Sequence, residues 1–363
     1  MAAICGYIFI IIHSFAKGLS MSQSNIEYYA LSILSLVFLA IKAYHSTFSK
    51  KEFIFYFIAL FVGILVFATS TNLTILLSIM AIFAAKDLST KKLLGTIFVT
   101  RTISFFLMVL LSTMNIIPDN NLIFDRSGEI LYRMSFGYLH PNETALQIII
   151  IITSLTLLLN ERWKKNISLA AGFVLGYLIY WCTYSRSTFI ALLLFIILEF
   201  CVINFRSIFR LILKYSKWIA LMPFFITIVF ALFYQTGGIF NVIDKIFTGR
   251  LYYIDAIINF ARPKLFGIDY GVFNDEKIYI DNGFVKLLYI DGIICCVMAA
   301  IYANNFLNIC KNRRKSEYVV LFVSILFYAL TESSLDNAIN SYIWLIYPTM
   351  VTSRKMEELL WNY

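Results

Sequence analysis

Apolar runs recur along this chain at 1–15, 27–44, 53–68, 72–85, 93–114, 141–159, 168–184, 187–204, 218–235, 283–307, 318–332 and 341–353. A helix crosses a bilayer with roughly 17–25 apolar residues, and shorter runs cross when enclosed in a bundle. Within lipid the backbone must satisfy its own hydrogen bonds, so runs of this kind fold as helices. The expectation is an all-α polytopic integral membrane protein with about twelve transmembrane helices. Runs 72–85 and 341–353 are the shortest. No internal repeat and no Pro/Ser-rich linker divides the chain, so 1–363 reads as a single helical membrane domain. Its longest polar interruption, 236–282, reads as a large loop before the tenth helix. With 60% hydrophobic residues, 14% charged and a mean hydropathy of +0.80, the chain has too little polar surface for a soluble protein. Residues 1–16 lack a basic leader and a clear small-residue cleavage site, so they read as a first span rather than a removed signal peptide.

Lysine and arginine set the expected orientation. With the N-terminus in the cytoplasm, the inner connections 45–52, 86–92, 160–167, 205–217, 308–317 and 354–363 hold eighteen basic residues. The outer loops hold nine in roughly twice the length, which puts both termini inside. The formal charge of +9 is therefore largely topological, and nucleic-acid binding is not needed to explain it. The six cysteines lie in or beside apolar runs with no CxxC spacing, and read as free structural thiols. The three histidines are too scattered for a metal site, and no cofactor is expected.

Polar residues converge on the outer side. GYLHPNETA (137–145) puts His140, Asn142 and Glu143 at the start of a helix whose first turn suits Pro141. YSRST pins Arg186 between two helices, and TESSLDN (331–337) carries Glu332 and Asp336. In the large loop, Leu251, Ile254, Ile257, Ile258 and Ala261 recur at helical spacing. They predict an interfacial helix from Arg250 to Arg262, preceded by Thr248 and Gly249 as capping residues and closed by Pro263. A guanidinium beside helix N–H groups suits a phosphate; an arginine resting on lipid head groups is the plainer reading. Gly267 and Gly271 let the chain turn back toward the membrane.

TGR (248–250), PKLFG (263–267), DYG (269–271) and DNGFVKLLYIDG (281–292) together resemble the carboxy-terminal signature of the O-antigen ligase and Wzy-type polysaccharide polymerase superfamily. LHPN (139–142) and YSRS (184–187) resemble its two upstream signatures. The resemblance runs from about residue 136 to the end; the first five spans share only hydrophobicity. It implies a metal-independent glycosyltransferase with a C-type-like helical fold in the bacterial plasma membrane. Its donor and acceptor would be undecaprenyl-diphosphate-linked oligosaccharides, used for capsule, exopolysaccharide or O-antigen. A chain-length regulator and a flippase of the same pathway are the expected protein partners. By position, Arg186 and Arg250 match the arginines with which the family holds the lipid diphosphate. Asp281 stands where the ligases carry a histidine, which leans the reading toward polymerase.

In such a reaction two fixed guanidiniums stabilise the departing diphosphate, and a base near the acceptor hydroxyl helps. Asp281, Glu332, Asp336 and Glu143 are the candidate bases. Asp281 is the favoured one; its plainer role is to cap the tenth helix with Asn282. Lys286 either helps to hold the diphosphate or is a structural lysine reaching back to the interface. Arg101, well inside the fifth run, is costly there and either serves a phosphate or buried carboxylate or snorkels to the cytoplasmic side. Glu199 reads as the partner of a nearby arginine. An O-antigen-type ligase is the enzymatic alternative; a lipid-linked oligosaccharide flippase or exporter, which also needs arginines for diphosphates, belongs to a different class.

Overall fold

A computed structural model describes residues 1–22, 25–126, 129–247 and 249–360. Among them the chain is mostly helical: α1 (Ala2–Gly18), α2 (Ile26–His45), α3 (Lys50–Ser70), α4 (Thr74–Ala85), α5 (Thr90–Thr113), α6 (Pro141–Leu158), α7 (Arg162–Thr183), α8 (Arg186–Asn204), α9 (Arg206–Phe233), α10 (Ile239–Ile246), α11 (Arg250–Phe260), α12 (Tyr270–Asp275), α13 (Gly283–Tyr289), α14 (Ile293–Asn312), α15 (Ser316–Tyr328) and α16 (Ile343–Leu360). One antiparallel hairpin, β1 (Leu122–Arg126) with β2 (Glu129–Arg133), pairs Leu122 with Arg133 and Ile123 with Tyr132.

Among the described residues, eight helices are long and apolar enough to cross a membrane: α2, α3, α5 to α9 and α14. This is the make-up of a polytopic membrane protein. Helices α1, α4 and α15 are apolar but shorter. Each expected run overlaps a helix; the ninth begins twelve residues early, at Arg206, within the expected connection 205–217, and the tenth differs most. It is two helices, α13 and α14, separated at Ile290–Gly292. Hydropathy reports the environment of a segment and is blind to whether its helix is continuous.

The chain groups into two compact units, one made of residues 1–46, 84–206 and 345–363 and the other of 47–83 and 207–344. In the first, buried charges are tied to protein partners. Arg101 on α5 is fully buried and donates from Nη1 to Gln147 Oε1 of α6 at 2.9 Å. Lys42 donates to the Lys86 carbonyl at 2.7 Å. Glu199 pairs with Lys165 at 3.5 Å, a lysine where an arginine was expected. Small residues allow close helix packing there: a Cβ on Gly172 would lie 2.6 Å from Ile152, and one on Gly176 2.3 Å from Leu192.

In the second unit α3 opens with a full capping box, Ser49 with Glu52. The break between α13 and α14 is filled by backbone from residues 264–268. Ile268 N–H donates to Tyr289 O (2.9 Å), Ile293 N–H to Lys264 O (3.0 Å) and Ile294 N–H to Leu265 O (3.2 Å). Groups freed by interrupting the helix are thereby satisfied inside the protein, as a broken helix at membrane depth requires. Gly267 and Gly292 make the approach possible, both at positive φ (+85° and +93°).

Candidate functional site

The site in the second unit is assembled from three stretches far apart in sequence. Helix α11 begins at Arg250, as its spacing predicts, and ends at Phe260, short of Arg262, with Ala261 as its C-cap. It buries Leu251, Ile254 and Ile257. The two isoleucines join a core with Ile268, Phe273, Ile280, Val285, Tyr289 and Ile290. Ile258 faces outward instead. Gly249 (φ +82°) is the N-cap and brings no side chain; Thr248 lies outside the described residues. The capping oxygen comes from Asp244 of α10, whose Oδ1 accepts from Leu251 N–H at 2.8 Å and Tyr252 N–H at 3.3 Å. Arg250 is thus held at the first turn of an anchored helix.

Asn282 caps α13 without help from Asp281. Its Oδ1 accepts from Phe284 and Val285 N–H, both at 3.0 Å, and its Nδ2 donates to Leu330 O at 3.0 Å and Thr227 Oγ1 at 3.3 Å. Gly283 then packs against Ala329, Glu332 and Leu335, where a Cβ would meet atoms at 3.0–3.1 Å. The neighbouring Asp281 points its Oδ2 to within 3.6 Å of Arg250 Nε. Glu332, just beyond α15, takes Arg250 Nη2 at 2.8 Å. Arg250 and Glu332 side chains are 13% and 17% exposed, Asp281 46%. Glu332 therefore fixes the guanidinium through the strong contact, and Asp281 is the looser, solvent-reachable partner. Burial by the surrounding loop pushes the Asp281 carboxyl above its ordinary value, and the Arg250 guanidinium pulls it part of the way back.

Lys286 and Asp336 form a separate, deeper pair. Their Nζ–Oδ2 distance is 2.8 Å, and Lys286 also donates to Ser333 O at 3.3 Å. The lysine is a structural partner of Asp336 in this arrangement.

In the first unit, His140 is the N-cap of α6, its Nδ1 accepting from Asn142 N–H at 3.1 Å, with Pro141 in the first turn. Asn142 Oδ1 accepts from Arg133 Nη2 at 2.7 Å, while Arg133 Nε donates to Thr183 O at 2.7 Å. Glu143 accepts from the Ser20 hydroxyl. Arg186 is exposed and is the first residue of α8, directly after Tyr184 in the left-handed conformation (φ +48°) and Ser185.

No family model, curated protein or solved structure matches this chain. The site is therefore read from its own chemistry. One guanidinium held by one carboxylate, with a second carboxylate of raised pKa beside it, can stabilise an anion and accept a proton at adjacent points. Sequence reasoning missed two contributors. Arg133 registered only as one more outer-loop base; LIFDR and EILYR carry strand-forming Ile, Phe and Tyr but no alternation, so the strand that holds it gave little signal. Asp244, six residues before Arg250, caps across a turn that no short motif describes.

Proposed function

We propose that the protein is a polysaccharide polymerase of the bacterial plasma membrane. It transfers an undecaprenyl-diphosphate-linked oligosaccharide onto another lipid-linked repeat unit, at the outer face. The observation that carries this reading is the trio Arg250, Glu332 and Asp281, with its half-exposed carboxylate 3.6 Å from an anchored guanidinium. With both acids ionised the trio has one net negative charge, so a diphosphate must replace Asp281 rather than Glu332 at Arg250. The longer contact is the one that can give way. In the reaction the bond from the anomeric carbon to the diphosphate breaks and a bond to the acceptor oxygen forms. The acceptor proton goes to Asp281, and the leaving charge stays on the lipid diphosphate beside Arg250. Arg186 is exposed at the start of α8 in the first unit and is a candidate anion contact in its own right.

The deciding assay incubates purified full-length protein with a defined lipid-diphosphate oligosaccharide and looks for a ladder of products. A single transfer to a different acceptor lipid, without a ladder, would point to the ligase alternative. The interrupted α13–α14 helix, with a buried acid at its break, is the kind of element transporters use, and it favours an exporter as the second reading. Movement of labelled lipid-linked oligosaccharide across proteoliposomes without polymer would decide for it.

A base with a raised pKa works only when deprotonated. Activity is therefore expected to fall as pH drops through a point above the ordinary aspartate value, and Asp281→Asn should be nearly inactive at every pH. Because Asn282 alone caps α13, the Asn variant should keep normal folded yield. A pH–rate profile on both proteins checks this, and near-normal polymer from Asp281→Asn would end the assignment. The termini and the loops bearing Lys91, Lys165, Lys214 and Arg314 belong in the cytoplasm under this proposal. Cysteine labelling at position 314 from outside intact cells should fail; success would invert the topology and remove the site from the outer face.

A further inference from the structure

The break between α13 and α14 holds an acid that the proposed chemistry does not use. Asp291 is fully buried, and neither of its carboxylate oxygens has a hydrogen-bond partner among the described residues. The charged groups acting on it are Lys286 and Asp336. Cys295 and Cys296 in the first turn of α14 also feel its charge, and Tyr270 of α12 acts on Lys286. Lys286 is already committed to Asp336 at 2.8 Å. With all three ionised, the count is two carboxylates against one ammonium, one negative charge in excess.

The surroundings are built. Ser78 of α4 donates to Asp336 O at 2.7 Å and accepts from Ala338 N–H at 2.9 Å, while Trp344 Nε1 donates to Leu335 O at 2.9 Å. These bonds fix the turn carrying Asp336 from both sides. Asp336, Ser78 and Cys295 line an otherwise apolar cavity of about 100 Å³. A buried charge persists only when paired, and the missing partner here is one positive charge.

We propose that the unpartnered Asp291 carboxylate at this break binds a single sodium ion. The site uses none of the Arg250 trio and does not depend on the transferase reading. Lys286 keeps the charge requirement at one, which excludes a divalent ion.

The test is thermal unfolding of full-length protein in nanodiscs at constant ionic strength, with sodium chloride exchanged for choline chloride across a range of pH. A saturable rise in midpoint with sodium, absent with choline, identifies a sodium site. A midpoint that ignores sodium and falls as pH rises means that Asp291 is simply held protonated, with the stabilisation complete at low pH and lost on going alkaline, and it overturns the proposal. The sodium dependence should vanish in Asp291→Asn, which keeps the shape and removes the charge. Should that variant not fold, Asp336→Asn is read in the same way, since losing either carboxylate balances Lys286. A wild-type midpoint indifferent to both sodium and pH would overturn the proposal. So would a dependence that survives undiminished in the variants.

Discussion

Gly267→Ala is expected to abolish most folded protein. The residue sits at φ +85°, and an added Cβ would lie 1.8 Å from Ile290 O and 2.6 Å from Ile290 C. Both are backbone atoms at the helix break, so no side-chain rotation relieves the contact. The left-handed conformation alone costs an alanine about 1–2 kcal/mol. Moving this segment away also breaks the three backbone bonds through which residues 264–268 fill the gap. Each buried group left without a partner costs about 1–3 kcal/mol. The sum is comparable with the whole stability of a domain, about 5–15 kcal/mol. Gly271→Ala is the control, because its nearest neighbours are 3.6 Å or more away and belong to the Asp269 side chain. Folded yield by size exclusion and the unfolding midpoint separate the two. Equal yields would mean that the backbone of 264–268 does not seal the break.

The same region shows how far sequence reasoning reaches. Apolar runs located the helices because burial in lipid is a property of composition, visible in any window. Local chemistry was legible too. Pro141 and His140 open α6, Arg250 opens α11, and Asn282 caps α13, each within a few residues of its own signal. What stayed hidden depends on partners distant in sequence. Gly267 was assigned a turn, yet its necessity comes from Ile290 O. Asp281 was offered a capping role that Asn282 fills alone, leaving its carboxylate for Arg250. Lys286 was a candidate for the diphosphate, and Asp336, fifty residues later, takes it. The β1–β2 hairpin escaped because two five-residue strands give a weak periodic signal beside long helices.

Arg250→Ala should reduce polymerisation per folded protein by on the order of 30-fold or more. Removing one partner from a desolvated charge pair costs roughly 2–5 kcal/mol, and every 1.4 kcal/mol is about tenfold. Arg250→Lys should recover only part of the rate. It keeps the charge but cannot hold Glu332 through one edge while offering another edge to a phosphate. Glu332→Gln distinguishes support from chemistry. The 2.8 Å contact fixes the guanidinium, so the variant should lower the rate less than Arg250→Ala and leave the acid limb of the pH profile unmoved. A shifted limb would make Glu332, not Asp281, the base. Arg186→Ala, measured in the same way, tests that residue on its own; wild-type turnover at normal folded yield would remove it from the chemistry. The competing role for Arg250 is a staple between α11 and the turn after α15. A staple predicts low folded yield in Arg250→Ala, with normal turnover in whatever folds. It also predicts recovery of yield in Arg250→Met/Glu332→Leu, where an apolar pair replaces the ionic one. Turnover in that double variant is the decisive quantity, because packing restores a staple and cannot restore a charge meant for a leaving diphosphate.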